Sequence, residues 1–238
     1  LEYLQNSVTD PHPRVRLEAV VAASQLQSTE AMETAVLILN SPTDRFLEAA
    51  LRQCAHALQR WWFTSLKEGQ LAIEDTQHLA FLLSQTSGQD AASIARNLLE
   101  DPILKPTSPA FPVLATILAT QGSVGDLDWL VTKAHDDPKH SIPVLSAMRE
   151  SAAIRELKPG NPSLNSLLTT AVTGGNDKQK IHAIRLIGQW RILELREPVS
   201  KIILDSQSSL EVRIAALRSI SDFPTIAEER IEDLSRLS

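Results

Sequence analysis

A helical unit that recurs every 30 to 36 residues is the strongest constraint this chain places on its own fold. Its first complete copy is Asp10 to Leu26, DPHPRVRLEAVVAASQL. Asp10 can cap the turn, while Pro11 and Pro13 stop an earlier helix from running through. Pro13 suits a first helical turn, where a missing N–H costs nothing. Apolar and small residues then fall at Val15, Ala19, Val20, Ala23 and Leu26, a helical period rather than a strand alternation. Arg14, Arg16 and Glu18 lie off that stripe. Ala19 and Ala23 let a neighbouring helix approach closely, so the face is made for stacking.

If this is a repeat, its small position must return. An alanine takes the equivalent slot at Ala19, Ala50, Ala80, Ala115, Ala147, Ala183 and Ala216, at intervals of 31, 30, 35, 32, 36 and 33 residues. The two ends agree best: Val15-Arg16-Leu17-Glu18-Ala19-Val20 and Val212-Arg213-Ile214-Ala215-Ala216-Leu217 share Val-Arg, the small residue and the following aliphatic. The spacing suits two-helix repeats. It predicts first helices over 13–26, 43–60, 74–86, 108–121, 140–154, 177–190 and 209–222, with partner helices such as Thr29 to Leu39 between them. The expected fold is therefore all-α, an α-α superhelix or HEAT-like solenoid of about seven two-helix repeats. Units that pack only against their neighbours predict one continuous domain over residues 1–238.

Composition agrees with this reading. Aromatic residues are 4% and glycine only 8 residues, which fits sandwiches and barrels badly, while 43% hydrophobic content is enough for a continuous core. No run of about 18 apolar residues marks a membrane span. The lone Cys54 excludes an intrachain disulfide and any multi-cysteine metal or haem motif. A net charge of −6 weighs against a general nucleic-acid scaffold. The chain starts at a leucine inside an apparent helix, LEYLQNS, and neither end carries an obvious polar cap, so it is expected to be part of a longer protein.

Breakers fall between the predicted helices, at Ser41-Pro42, Asp101-Pro102, Asp137-Pro138, Lys158-Pro159-Gly160-Asn161-Pro162, Gly174-Gly175-Asn176-Asp177 and Phe223-Pro224. Pro112 and Pro143 must each sit in a first turn, with Ser108 or Ser141 near the cap. Glu100 to Pro109, with three prolines, is the best candidate for a hinge or protruding loop.

The Val-Arg pattern in DPHPRVRLEAV resembles HEAT repeats of the phycobilin-lyase type. More narrowly, HPRVRLEAVVAASQL, TEAMETAVLIL, SPTDRFLEAALRQCAHAL and RWWFTSLKEGQL, within roughly residues 10–85, resemble the HEAT segment of planctomycete-type membrane-bound dehydrogenase-like proteins that carry c-type haem. That resemblance implies a periplasmic or secreted location and a role in holding redox or catalytic modules together. The haem-attaching Cys-x-x-Cys-His is absent, so the chemistry does not transfer.

Three groups of residues qualify as candidate sites. Trp61-Trp62-Phe63 with Lys67 cannot turn all its rings inward, since adjacent helical residues point about 100° apart. Trp61, Trp62 and Lys67 are thus the candidate partner contact, against a structural alternative in which two rings plug the gap to the next repeat. Arg16, Lys180 and Arg213 hold equivalent slots and are expected to form a stacking ladder with acids or carbonyls of neighbouring units, rather than a phosphate or carboxylate site. His135, Asp136, Asp137 and His140 are the nearest approach to a metal cluster, but Pro138 interrupts them and an exposed turn explains the same residues. Cys54 follows Ala50 on the packing stripe and reads as a buried hydrophobe.

Neither a Gly-x-Ser-x-Gly sequence nor a phosphate loop occurs. No catalytic, cofactor-binding or metal residue is therefore assigned, and no cofactor is expected. The function these features favour is a non-catalytic scaffold whose partners are proteins or adjacent domains of the same polypeptide. The alternative is an enzyme-like or tetrapyrrole-binding module of the phycobilin-lyase type, which needs His, Asp or Arg converging in one register. A DNA-binding module using Trp61, Trp129 and Trp190 is disfavoured by the acidity.

Overall fold

A computed structural model describes residues 2–224. Among the described residues the chain is all-α: 73% of them are helical, in fourteen α-helices and three short 3₁₀ segments, and no strand occurs. Contacts divide it into two compact units, Leu1–Ala91 and Ala92–Ser238. Each of the seven predicted first helices is present, trimmed by up to three residues at either end. A helix expected after Phe223-Pro224 lies outside the described residues.

The first unit contains α1 (Glu2–Val8), α2 (Pro13–Ala23), α3 (Thr29–Ala35), α4 (Arg45–Ala57), α5 (Gln59–Lys67) and α6 (Thr76–Ser84). Its helix starts follow from local chemistry. Asp10 accepts from the His12 amide at 2.7 Å and so closes the turn before the helix, while His12 itself is the N-cap of α2 and Pro13 its first residue. Ser28 caps α3, Asp44 caps α4 through the amides of Phe46 and Leu47, and Asp75 caps α6. The partner helix expected over Thr29 to Leu39 is α-helical only to Ala35 and tightens into a 3₁₀ turn over Val36–Asn40. First helices α2 and α4 pack together, and α3 packs beside α5, where the Thr29 and Ser65 hydroxyls meet at 2.9 Å.

Burial corrects the stripe assigned to Asp10–Leu26. Ala19, Val20 and Ala23 are in the core, but Val15 and Leu26 are exposed while Arg16 is buried, at 6% exposure. The guanidinium can enter because its donors find carbonyls: Nη1 bonds Asp10 O at 2.9 Å and Pro11 O at 3.2 Å, and Nη2 bonds Pro42 O at 2.9 Å. In α4 the alanine slot is also displaced by one. Asp44 as N-cap puts fully buried Leu51, not half-buried Ala50, at the seventh position that Ala19 takes in α2. Leu47, Leu51, Cys54 and Leu58 form the inward row.

Cys54 is buried as expected, and burial pushes its thiol up to about 12. Native protein at about pH 8 is therefore expected to leave an aromatic disulfide reagent unreacted over minutes, with one thiol released once denaturant is added. A rapid native reaction would place Cys54 at the surface instead.

The second unit holds the C-terminal part of α7 (Gln89–Glu100), then α8 (Ala110–Gln121), α9 (Val124–Asp136), α10 (Ser141–Ile154), α11 (Leu164–Gly174), α12 (Asp177–Gln189), α13 (Arg196–Leu204) and α14 (Leu210–Ser221). Capping boxes start α9, with Ser123 and Asp126, and α12, with Asn176 and Gln179. Pro112 and Pro143 are the third residues of α8 and α10, inside the first turn as their chemistry demands. Ser141, expected near the cap, is the first helical residue of α10 and follows its N-cap, His140. Successive first helices α8, α10, α12 and α14 pack against one another in order, with α9, α11 and α13 as their partners.

Close approach between these helices is supported by buried hydroxyls. Ser151 on α10 donates to Ala119 O on α8 at 2.6 Å, and Ser219 on α14 donates to Ile184 O on α12 at 2.7 Å. The alanine slot holds here: Ala115, Ala147, Ala183 and Ala216 are all fully buried. The Lys158–Pro162 breaker does more than end a helix, because Asn161 bonds α9 through the carboxylate and carbonyl of Asp128 at 2.8 and 2.9 Å.

Candidate partner-binding surfaces

The aromatic run occupies α5 of the first unit. Trp62 is fully buried and its indole N–H donates to Ala55 O at 2.8 Å, so it plugs the core against α4. Phe63 is half-buried, edge-on to Trp62 with centroids 5.5 Å apart. Trp61 is half-buried with the Arg60 guanidinium 3.9 Å over its ring. Lys67 is exposed, pairs with Asp90 at 3.1 Å and lies 5.5 Å from the Phe63 ring. The three residues named as a contact are thus split by the helix: Trp62 points inward, and Trp61 and Lys67 remain at the surface.

Arg16, Lys180 and Arg213 occupy the fourth position after their N-caps, His12, Asn176 and Ser209. Arg16 links its own loop to the loop before α4, as described. Arg213 Nε donates to Ile203 O at the end of α13, at 3.0 Å. Lys180 is half-buried, and it joins Arg213 in drawing down the carboxyl of Asp205, which hydrogen bonds from Ser208 and the Gln207 amide hold below its ordinary range first. Two of these cations therefore act on carbonyls.

Among the described residues, no three His, Cys, Asp or Glu side chains converge where an ion would sit. His135 is 3.4 Å from Asp136, and His140 is 3.6 Å from Asp137 with its ring tilted 4.9 Å from Phe111. The Arg96 guanidinium is 4.1 Å and the Lys133 ammonium 5.4 Å from the Trp129 ring centroid; Trp190 donates to Leu157 O at 3.2 Å. A shallow apolar groove of about 790 Å³ lies between α1 and α2, lined by Tyr3, Leu4, Val15 and Ala22 among others.

A register that was not read from the sequence appears on the first helices of the second unit. Arg149, Arg185 and Arg218 each lie at the ninth position after an N-cap, on α10, α12 and α14 in turn. Arg149 and Arg185 line an open groove of about 370 Å³ with Glu150, Gln189 and Asp222. His182 is half-buried beside them, its Nδ1 buried without a hydrogen-bond partner. Burial first, then the charges of Arg149 and Lys178, hold its pKa below the ordinary 6.5. The signal for this row was available in the spacing of arginines from capping residues, but it requires the caps to be known.

His182 predicts an acid-sensitive fold. A depressed native pKa means that the contribution is complete above the unfolded value of about 6.5 and is lost as pH falls through the native value, because the unfolded chain takes up the proton first. Thermal melts between about pH 7.5 and about pH 5 should show a smaller acid-induced drop for His182→Gln than for the unsubstituted chain. Parallel curves would show that His182 titrates normally.

No helix among the described residues is long and apolar enough to cross a membrane. No family model, curated protein or solved structure matches the chain.

Proposed function

We propose that this chain is a non-catalytic helical-repeat scaffold that binds proteins or neighbouring domains of its own polypeptide. One observation carries the reading: α10, α12 and α14 pack in sequence with the same register from their caps, so equivalent positions fall into rows along one side of the second unit. Rows of equivalent positions make an extended surface that suits a polymer better than a small substrate. The HEAT-type assignment is supported by the Val-Arg pattern and the two-helix spacing. Placement within a periplasmic or secreted dehydrogenase and cytochrome assembly is supported by resemblance over roughly residues 10–85 alone.

The test is capture followed by identification. The immobilised chain, cross-linked in extract, is expected to retain one or a few proteins reproducibly and to turn over no substrate. A hydrolase, transferase or redox activity of the purified chain, abolished by one polar substitution, would overturn the scaffold reading.

A further inference from the structure

Helix α14 carries an apolar seam that faces away from its neighbours. Leu210, Ile214 and Leu217 are 68%, 40% and 59% exposed, and with Ser221 they fall four, three and four residues apart. That spacing is the a/d stripe of a coiled-coil helix, with leucine at both d positions and isoleucine at the first a. The other side of α14, with Val212, Ala215, Ala216 and Ser219, is buried as the helix packs on α12 and α13. Equivalent seam positions in the preceding helices are largely inside. Ile214 and Leu217 are the fifth and eighth residues after the N-cap; α10 has fully buried Leu145 and Met148 there, and α12 has half-buried Ile181 and fully buried Ile184. The carbonyl of Ile184 accepts from Ser219 of α14, so on α12 this is the face on which the following first helix stacks. On α14 the same face is open.

We propose that this face joins two copies of the chain, through an antiparallel contact between their α14 helices about a two-fold axis. The charges beside the seam select this occupant. Glu211 and Arg218 are both exposed, each follows a leucine of the seam, and they are seven residues apart. Two turns of helix separate them, so they lie on the same flank of the stripe, about 10.5 Å apart along the axis. An antiparallel partner runs that flank in reverse. It sets Glu211 opposite Arg218 of the partner subunit, and Arg218 opposite Glu211 of the partner subunit. The same register sets Ile214 opposite Leu217 of the partner subunit, so the apolar layers and both ion pairs form together. A parallel pair would instead bring Arg213 toward Arg218 of the partner subunit and repel it. Because the contact is self-complementary, it closes at two copies. The helix has 12 residues, so the interface is small and the dimer forms in proportion to concentration.

The pairing surface goes beyond the scaffold reading, which stands whether or not the chain dimerises. Its test is sedimentation of the whole chain in low salt over about a hundredfold range of concentration. The mass is expected to rise from one copy to two and no further. Leu217→Asp, at an exposed site, is expected to hold the chain at one copy without lowering its melting temperature. Glu211→Arg and Arg218→Glu each set like charges opposite one another at two places, and each is expected to weaken the dimer about tenfold. The double variant Glu211→Arg, Arg218→Glu restores both pairs with their signs exchanged, so dimerisation should return. A chain that remains a single copy at every concentration overturns the proposal and leaves the face to another segment or partner. Growth beyond two copies overturns it in favour of head-to-tail stacking. A dimer indifferent to Leu217→Asp, or single exchanges that the double variant fails to rescue, would place the contact elsewhere on the molecule.

Discussion

Replacing Trp62 with alanine is expected to destabilise the first unit by about 3–5 kcal/mol, the range for removing a buried aromatic side chain without collapse of its site. The indole is fully buried, and its N–H is matched to Ala55 O at 2.8 Å, so the substitution empties a large volume and leaves that carbonyl without its side-chain donor. Trp61→Ala, one residue away, is expected to cost no more than about 1 kcal/mol, since the half-buried ring loses chiefly its contact with Arg60. Urea unfolding of the two variants measures the contrast directly. Equal losses would mean that both rings serve the core, and would remove Trp61 as a surface contact.

Gly188→Ala is the second large effect, and its direction is decided by two opposing terms. Alanine favours a helix interior over glycine by about 1 kcal/mol. Against this, a Cβ on Gly188 would stand 2.6 Å from Ser219 Oγ, 2.8 Å from Ser219 O and 2.9 Å from Ser219 Cα. The hydroxyl could move only by giving up its bond to Ile184 O, and the backbone of α14 cannot move aside, so α12 and α14 must separate. Overpacking of this kind costs about 1–3 kcal/mol beyond any propensity gain. The double variant Gly188→Ala, Ser219→Ala should be no more stable than Gly188→Ala, because the removed hydroxyl is only one of the obstacles. Recovery in the double variant would show that the contact is to the side chain alone.

Both results depend on features that differ in how visible they are in the sequence. Helix positions were legible because they depend on residues within one or two turns. Pro13 at a first position, the Ser123 and Asn176 capping boxes, and the apolar period of α12 each act over a few residues. The recurring alanine followed from the same periodicity, and it is buried at Ala19, Ala80, Ala115, Ala147, Ala183 and Ala216. In α4 the cap at Asp44 moved Leu51 into the slot that had been given to Ala50. Cys54 stayed on the inward row because it is three residues from Leu51 as well as four from Ala50.

The direction in which a polar residue points was not legible. Arg16 was expected to meet an acid or a carbonyl of a neighbouring unit, but its burial and the identity of its partners were not written in the sequence: Asp10, Pro11 and Pro42 supply the carbonyls, and the last is 26 residues away. Among three consecutive aromatics the sequence required one to differ, and only the neighbouring α4 carbonyl at Ala55 selected Trp62. The arginine row is the extreme case: Arg149, Arg185 and Arg218 are unremarkable singly, and they form a surface only when three capped helices pack in register.

By itself, the sequence determined that the chain is a series of helices, where most of them start, and which small residues let them pack, since capping and periodicity are local interactions. The tertiary structure alone decided which polar and aromatic side chains turn inward, as Arg16 and Trp62 do, and which cations share a groove. Those outcomes depend on carbonyls and charges brought together from about one repeat length away, and no local pattern records them.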